Sequence, residues 1–252
     1  MSTYVMADIH GDYESYMRML ELIRFSDSDE LIIDGDVIDR GDGGIRILQH
    51  MMLQPNIYPV IGNHEYIAMR VMRFLMTEIT EQSVEAIRGA LGEDAICELM
   101  EWQNIGGQAT IDEFHKLDRD QQEDIIEYLG EFAPYMEIRA GDKDFVIVHA
   151  GLNNFATGAS FSPDRSLDDY SLEELTFKAP DYEMVYFPDK YLVTGHLPTL
   201  AIEGARAGYI YKHNRHIAID CGVGYGGRLG AIRLEDLEEF YISEKNGRLL
   251  QL

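Results

Sequence analysis

Along this chain, short apolar runs end at polar, glycine-flanked groups, and amphipathic stretches lie between them. TYVMA (3–7) reads as a strand. In the stretch DYESYMRMLELIRF that follows, Tyr13, Tyr16, Met17, Leu20 and Ile23 recur near the helical period, with Asp12 placed as the N-cap. FSDSDE (25–30) is a polar loop, LIIDG a strand, GDGG (41–44) a loop and IRILQHMML (45–53) a helix. IYPVI (57–61) is a further strand, ending at GNHE. This alternation predicts an α/β core. Ligands of such sheets gather at the carboxyl ends of strands. The segments ADIHG, GDVIDRG and GNHEY each follow an apolar strand, so all three are expected to face one cleft.

The pattern changes over residues 66–133, which read as several helices with no strand and are expected to form an insertion covering the core. WQNIGG (102–107) interrupts them as a loop placed near the cleft mouth. Period-two patterning resumes in YMEIRAGDKDFVIVHAG (135–151), a hairpin with AGDK as its turn, and in KYLVTGH (190–196). RAGYIYKHNRHIAIDCG and GRLGAIRLEDLEEFYIS read as antiparallel strands closing a second sheet. With no repeat, low-complexity tract or linker, the 252 residues are taken as one domain, 1–252, carrying that helical insertion.

Composition narrows the partners. The formal charge is −24, from 45 acids against 21 bases. Such a field repels nucleic acid and anionic membrane, and it repels phosphate esters unless the site itself is positive. No apolar run approaches the ~18 residues of a membrane span. The opening MSTYVMADIHGD has no basic or long apolar leader, which points to a cytoplasmic protein. Cys97 and Cys221 fit no metal or disulfide spacing and are read as reduced thiols.

The histidines carry more information. Of eight, His10, His64, His149 and His196 sit in glycine-punctuated strand-end segments. His50, His115, His213 and His216 are read as structural or surface groups. Asp8, His10, Asp36, Asn63, His149 and His196 form a set of nitrogen and oxygen donors without thiolate, which suits Mn²⁺, Fe or Zn²⁺. Six donors exceed the needs of one open catalytic ion. Two ions about 3.5–4 Å apart, sharing one carboxylate, would use them.

Together ADIHG (7–11), GDVIDRG (35–41), GNHE (62–65), HAG (149–151) and TGH (194–196) resemble the PPP-type calcineurin-like metallophosphoesterases, most closely the bacterial branch. That family includes serine/threonine protein phosphatases and symmetrical diadenosine tetraphosphatases. The resemblance implies an α/β four-layer sandwich, two mixed sheets flanked by helices. It implies one metal held by Asp8, His10 and Asp36 and a second by Asp36, Asn63, His149 and His196, with Mn²⁺ favoured over Fe or Zn²⁺. His64 would be the general acid, paired with Asp39, and Arg40 would grip the phosphate. Asn63 and Tyr225 would lie against the substrate. Catalysis would be in-line attack by a hydroxide shared between the metals.

The chain departs from the family pattern at two places. Asp34 stands where an apolar residue is usual, and a buried carboxylate there calls for a partner. Family members carry a second phosphate-binding arginine between the HAG and GH segments, and Ala179 occupies that position, leaving Lys178 and Arg165 as stand-ins. The leading expectation is a phosphomonoester hydrolase acting on phosphoproteins or small phosphoesters. The alternatives are a diadenosine tetraphosphate hydrolase, with Trp102 read either as core or as a wall for a base, and a metal- or phosphate-binding scaffold without turnover.

Overall fold

The computed structural model describes residues 1–76, 97–152, 161–162 and 165–243. Its strands, in chain order, are β1 (Thr3–Met6), β2 (Glu30–Asp34), β3 (Ile57–Val60), β4 (Met136–Ala140), β5 (Lys143–Ile147), β6 (Lys190–Thr194), β7 (Tyr211–His213), β8 (His216–Ala218), β9 (Arg228–Arg233) and β10 (Glu238–Ser243). The α-helices with defined bounds are α1 (Tyr13–Leu22), α2 (Gly44–Met52), α3 (Asn63–Leu75), α4 (Gln108–Phe114), α5 (Arg119–Leu129) and α6 (Leu172–Thr176).

The strands form two five-stranded sheets, ordered β10-β9-β1-β2-β3 and β4-β5-β6-β8-β7. Within the first, β1, β2 and β3 are parallel, while β9 adds antiparallel to β1 and β10 antiparallel to β9. Within the second, β5, β6 and β8 are parallel, flanked by antiparallel β4 and β7. The two carboxyl-terminal segments expected to close the second sheet therefore divide between the sheets. β7–β8 joins the second, and β9–β10 completes the first, where β9 covers the edge of β1. Local alternation shows that a segment is a strand but not which sheet it will join, because that choice rests on contacts distant in sequence.

Side-chain alternation builds the layers. Val5, Ile32 and Val60 face the second sheet and pack with Phe145, Ile147, Val193 and Ile217. Their neighbours Tyr4, Met6, Leu31 and Ile33 point the other way, onto Tyr16 and Met19 of α1 and Leu48 and Met51 of α2. The outer face of the second sheet, at Val146 and Leu192, is covered by Tyr170, Leu175 and Tyr186. The result is the expected α/β sandwich of two mixed sheets flanked by helices. α1 begins where the sequence placed it, with the Asp12 carboxylate accepting the Ser15 amide at 2.9 Å.

Of the helical stretch expected over 66–133, residues 77–96 lie outside the described residues. The described remainder is helical, starting at Asn63 rather than Tyr66 and returning to β3 through Ala133. WQNIGG is not an open loop. Residues Gln103–Gly107 form a π-helical turn, with Gly106 at φ 113°, between a helical stretch and α4. No helix among the described residues is long and apolar enough to cross a membrane.

Candidate active site

The parallel strands of both sheets end at one place. β1 leads to Asp8 and His10, β2 to Asp36, β3 to Asn63 and His64, β5 to His149, β6 to His196, and β8 to Asp220. A hydrogen bond ties the two sheets together there, the His196 amide donating to the Asp8 carboxylate at 3.0 Å. Within the second sheet the Gly195 amide donates to the His149 carbonyl at 2.8 Å. Asp8, His10, Asp36, Asp39, Arg40 and His196 all adopt positive φ, between 48° and 72°. Such conformations cost about 1–3 kcal/mol each and persist where surrounding structure enforces them, most often at functional sites. Gly35 turns the chain between β2 and Asp36, where a Cβ would lie 2.5 Å from His149 Nδ1.

Asp36 lies at the centre. One carboxylate oxygen is 3.3 Å from His149 Nε2, and the other is 3.7 Å from both His10 Nε2 and His64 Nε2. Asn63 Oδ1 lies 3.1 Å from His149 Nε2 and 2.9 Å from His196 Nδ1. Two donor groups result, His10–Asp36–His64 and Asp36–His149–His196. The structure thus brings His10, Asp36, Asn63, His149 and His196 together as the sequence suggested. Asp8 sits beside them with its carboxylate turned to the His196 amide, and His64 takes the third place around the first group.

The imidazoles are oriented from behind. His10 Nδ1 donates to the Ile38 carbonyl at 3.2 Å, and His149 Nδ1 to the Asp34 carbonyl at 2.9 Å. His10 Nε2 is left unprotonated, because burial lowers that imidazole well below its ordinary value. His149 is buried too, but the Asp36 carboxylate outweighs this and raises it well above its ordinary value. Imidazole nitrogens and carboxylate oxygens that converge in this way form the donor set of a cation. The surrounding charge gives the same signal. Asp8, Asp34, Asp36, Asp39, Glu65 and Asp220 are all buried in this region. Burial pushes Asp34, Glu65 and Asp220 each up to about 7. Burial, with the Asp220 carboxylate next, raises Asp8 well above the carboxylate range. Burial acts the same way on Asp36, but the imidazoles of His149, His64 and His10 outweigh it and hold that carboxyl well below its ordinary value. The donor set fits two divalent cations, which would neutralise this excess.

Asp39 and Arg40 are held by the helical segment above the cleft. His64 Nδ1 lies 2.6 Å from Asp39 Oδ2. Trp102 Nε1 donates to the same oxygen at 2.7 Å, and Thr110 Oγ1 donates to Asp39 Oδ1 at 2.5 Å. Trp102 is fully buried, so it cannot wall a base; its role here is to fix the carboxylate. The Arg40 amide donates to the Gly106 carbonyl at 3.0 Å, which places the π-turn directly over the GDVIDRG segment. The Arg40 guanidinium lies 2.6 Å from His10 Nε2 and 4.2 Å over the Tyr225 ring. Tyr225 therefore borders the site through Arg40. For His64, burial works against protonation, but the Asp36 and Asp39 carboxylates outweigh it and raise the imidazole above its ordinary value.

Glu65 is a residue the sequence named only as part of GNHE. Its buried carboxylate accepts the amides of Asp36 (2.8 Å), Val37 (2.8 Å), Ile38 (3.2 Å) and Gly62 (3.1 Å), pinning two strand-end loops to each other. Replacing it with Gln turns an amide N–H₂ toward those donors. Glu65→Gln is expected to lower stability by about 2–3 kcal/mol, measured by urea unfolding of the metal-free chain. Thr110 carried no sequence signal at all, because only the folded insertion brings it to Asp39.

Asp34 and Arg165 depart from expectation. The Asp34 carboxyl oxygens have no hydrogen-bond partner among the described residues, so the sought partner is absent and the group sits near neutrality instead. Arg165 does not stand in for the second arginine. Its guanidinium makes two bonds to the Glu174 carboxylate and lies 3.9 Å over the Tyr170 ring. Lys178 is exposed and follows Phe177, whose backbone bonds the His196 ring. His50 bonds the Tyr16 hydroxyl, His216 bonds Thr194 and His213 pairs with Glu183, all outside the cluster. Both cysteines are free.

The comparisons with known proteins agree with this geometry. The model of the calcineurin-like phosphoesterase family matches residues 1–214. A symmetrical bis(5'-nucleosyl)-tetraphosphatase from Wigglesworthia glossinidia brevipalpis is 43% identical over 67 residues, covering 26% of this chain and 25% of that protein. One from Methylobacillus flagellatus is 34% identical over 104 residues, 40% of this chain and 36% of that protein. The matched stretches thus span well under half of those relatives' length. Among solved structures, one provisionally assigned as a diadenosine tetraphosphatase superposes with a TM-score of 0.64 at 19% identity, over 97% of this chain and 94% of that one. A serine/threonine phosphatase from Saccharomyces cerevisiae does so with a TM-score of 0.61 at 13% identity, over 98% and 81%. At such identities the superpositions speak for the fold alone. With its sandwich fold, its strand-end donor cluster and a family match over most of its length, this chain belongs to the calcineurin-like phosphoesterases, enzymes that hydrolyse phosphoric esters.

Proposed function

We propose that this protein is a dinuclear-metal phosphohydrolase acting on dinucleoside polyphosphates, with diadenosine tetraphosphate as the representative substrate. The observation that carries the two-metal reading is Asp36, whose two oxygens face separate imidazole groups. His10 and Asp36, with Asp8 beside them, would hold one ion, and Asp36, Asn63, His149 and His196 the other. When bound, the two ions supply Lewis acidity, generating a nucleophile from water at neutral pH and drawing charge from the phosphoryl oxygens.

The chain's own residues supply the rest. Arg40 presents a planar fork to the phosphoryl oxygens, held in place by Tyr225 and the π-turn. Asn63, opening α3, orients the same group. His64, whose imidazole Asp36 and Asp39 raise above its ordinary value, is placed to donate to the departing oxygen, a contribution that is large for a basic alkoxide and small for a nucleoside diphosphate. For a symmetric tetraphosphate, water adds to one central phosphorus, the bridging P–O bond breaks, and two nucleoside diphosphates leave.

The substrate choice reverses the leading expectation from the sequence. The curated relatives above are named tetraphosphatases, and they support the dinucleotide alternative. The phosphoprotein reading rests on fold likeness, and Ala179 together with the engaged Arg165 leaves it without the second arginine. The scaffold reading falls with the family assignment.

The test is steady-state hydrolysis after stripping metal and restoring Mn²⁺, with diadenosine tetraphosphate, a phosphothreonine peptide and an aryl phosphate side by side. The expected result is preference for the dinucleotide, with ADP as the product. Preference for the peptide would restore the phosphoprotein reading.

Trp102 gives a second check. Phe fills most of its volume but cannot donate to Asp39. Loss of one buried bond to a carboxylate is expected to lower kcat roughly tenfold on esters whose leaving group needs a proton. An unchanged kcat for alkyl phosphates would detach the insertion from His64.

A further inference from the structure

We propose that the cleft running outward from Arg40 between Tyr13–Arg46 and the Gly224–Gly226 turn is a nucleoside subsite. The proposal deepens the dinucleotide reading and rests on it. The cleft has a volume of 720 Å³, with His10 and Arg40 at its inner end and Tyr13 and Arg46 along its wall. That volume is within the range of small-molecule sites. Because His10 and Arg40 line it, the cleft is continuous with the place where the scissile phosphate would sit.

Its wall has the chemistry of base recognition. Arg46, exposed near the start of α2, lays its guanidinium 4.0 Å over the ring of Tyr13, the first residue of α1. This pair is a preformed flat surface of π and cationic character, on which nucleobases stack with little sequence discrimination. The same layout that gathers the donor cluster places it, since both helices start just beyond strand ends.

The charge pattern favours a nucleoside over further phosphate. Arg40 and Arg46 share the cleft with Asp12, Glu14 and Asp42. Asp12 is occupied capping α1. The Asp42 carboxylate at this rim suits the hydroxyl donors of a ribose, and the three acidic groups together oppose a second phosphate. The opposite wall is formed by Val223, Gly224 and Gly226. A Cβ at Gly224 would lie 2.5 Å from the His10 ring and 2.9 Å from the Arg40 guanidinium, so the turn must stay without a side chain there. That leaves this side of the cleft open for a flat base.

The experiment compares Arg46→Ala and Arg46→Lys with the native full-length chain. In Mn²⁺-restored enzyme, the ratio of kcat/KM for diadenosine tetraphosphate to that for p-nitrophenyl phosphate is expected to fall roughly tenfold in Arg46→Ala, carried by KM. ADP binding to the metal-free chain, followed by calorimetry, is expected to weaken by a similar factor. Lysine keeps the charge but not the plane, and it should restore neither value. A ratio and an ADP affinity that both stay at native values would overturn the proposal, as would full rescue by lysine, which would make Arg46 a simple charge. If the native enzyme hydrolyses no dinucleotide, the functional reading fails, and ADP binding alone still decides the subsite.

Discussion

Asp36→Asn is expected to reduce bound metal from two ions per chain to at most one and to lower turnover by about 10³-fold or more. An amide keeps the shape of the carboxylate but has a single acceptor oxygen. That oxygen can face the His149 side or the His10 side, at present 3.3 and 3.7 Å from the two carboxylate oxygens, but not both. The remaining N–H₂ then occupies space where a cation is required. Several kcal/mol of transition-state charge stabilisation depend on the paired ions, and about 4 kcal/mol corresponds to the stated factor. Metal content is read by elemental analysis of the purified chain and turnover on an aryl phosphate. Two tightly held ions in the variant would remove Asp36 from its bridging role.

His64→Asn separates proton donation from everything else in the site. Loss of a positioned general acid costs roughly 10²–10⁴-fold when the leaving group is a basic alkoxide. The penalty should shrink toward unity for p-nitrophenolate or a nucleoside diphosphate, which depart with little help. His64 lies close to Asp36 and His10, so metal content must be measured in the same samples. A loss that is equal across leaving groups and accompanied by lost metal would recast His64 as a ligand. A graded loss at full metal occupancy identifies it as the acid.

These roles were unevenly legible in the sequence. The donor residues stand out because each follows a short apolar strand within a segment punctuated by glycine, so local pattern and chemistry coincide. The hydrogen-bonding partners do not. Thr110 and Trp102 reach Asp39 across 71 and 63 residues, from a segment whose own pattern indicates only helix. Trp102 therefore appeared as a wall or as plain core, when its buried indole N–H is what matters. The strands β9 and β10 were recognisable as strands, yet their place beside β1 depended on an edge that no local signal describes. Asp34 stands out in the sequence as a carboxylate in an apolar strand, but the partner it calls for is not found among the described residues, and burial instead raises the carboxyl to about 7.

The bond from the His196 amide to the Asp8 carboxylate spans 188 residues, and β1 pairs with β9 across nearly the whole chain. Domains emerge from the ribosome amino terminus first, and contacts so distant in sequence form late. During synthesis the first sheet therefore waits for its fourth and fifth strands, while Asp8, His10 and Asp36 stand without the residues that complete their surroundings. On the two-metal reading proposed above, metal loading then waits for synthesis to pass His196, and a truncated translation product ending before it would carry most of the recognisable sequence signature yet lack one donor of the proposed second site.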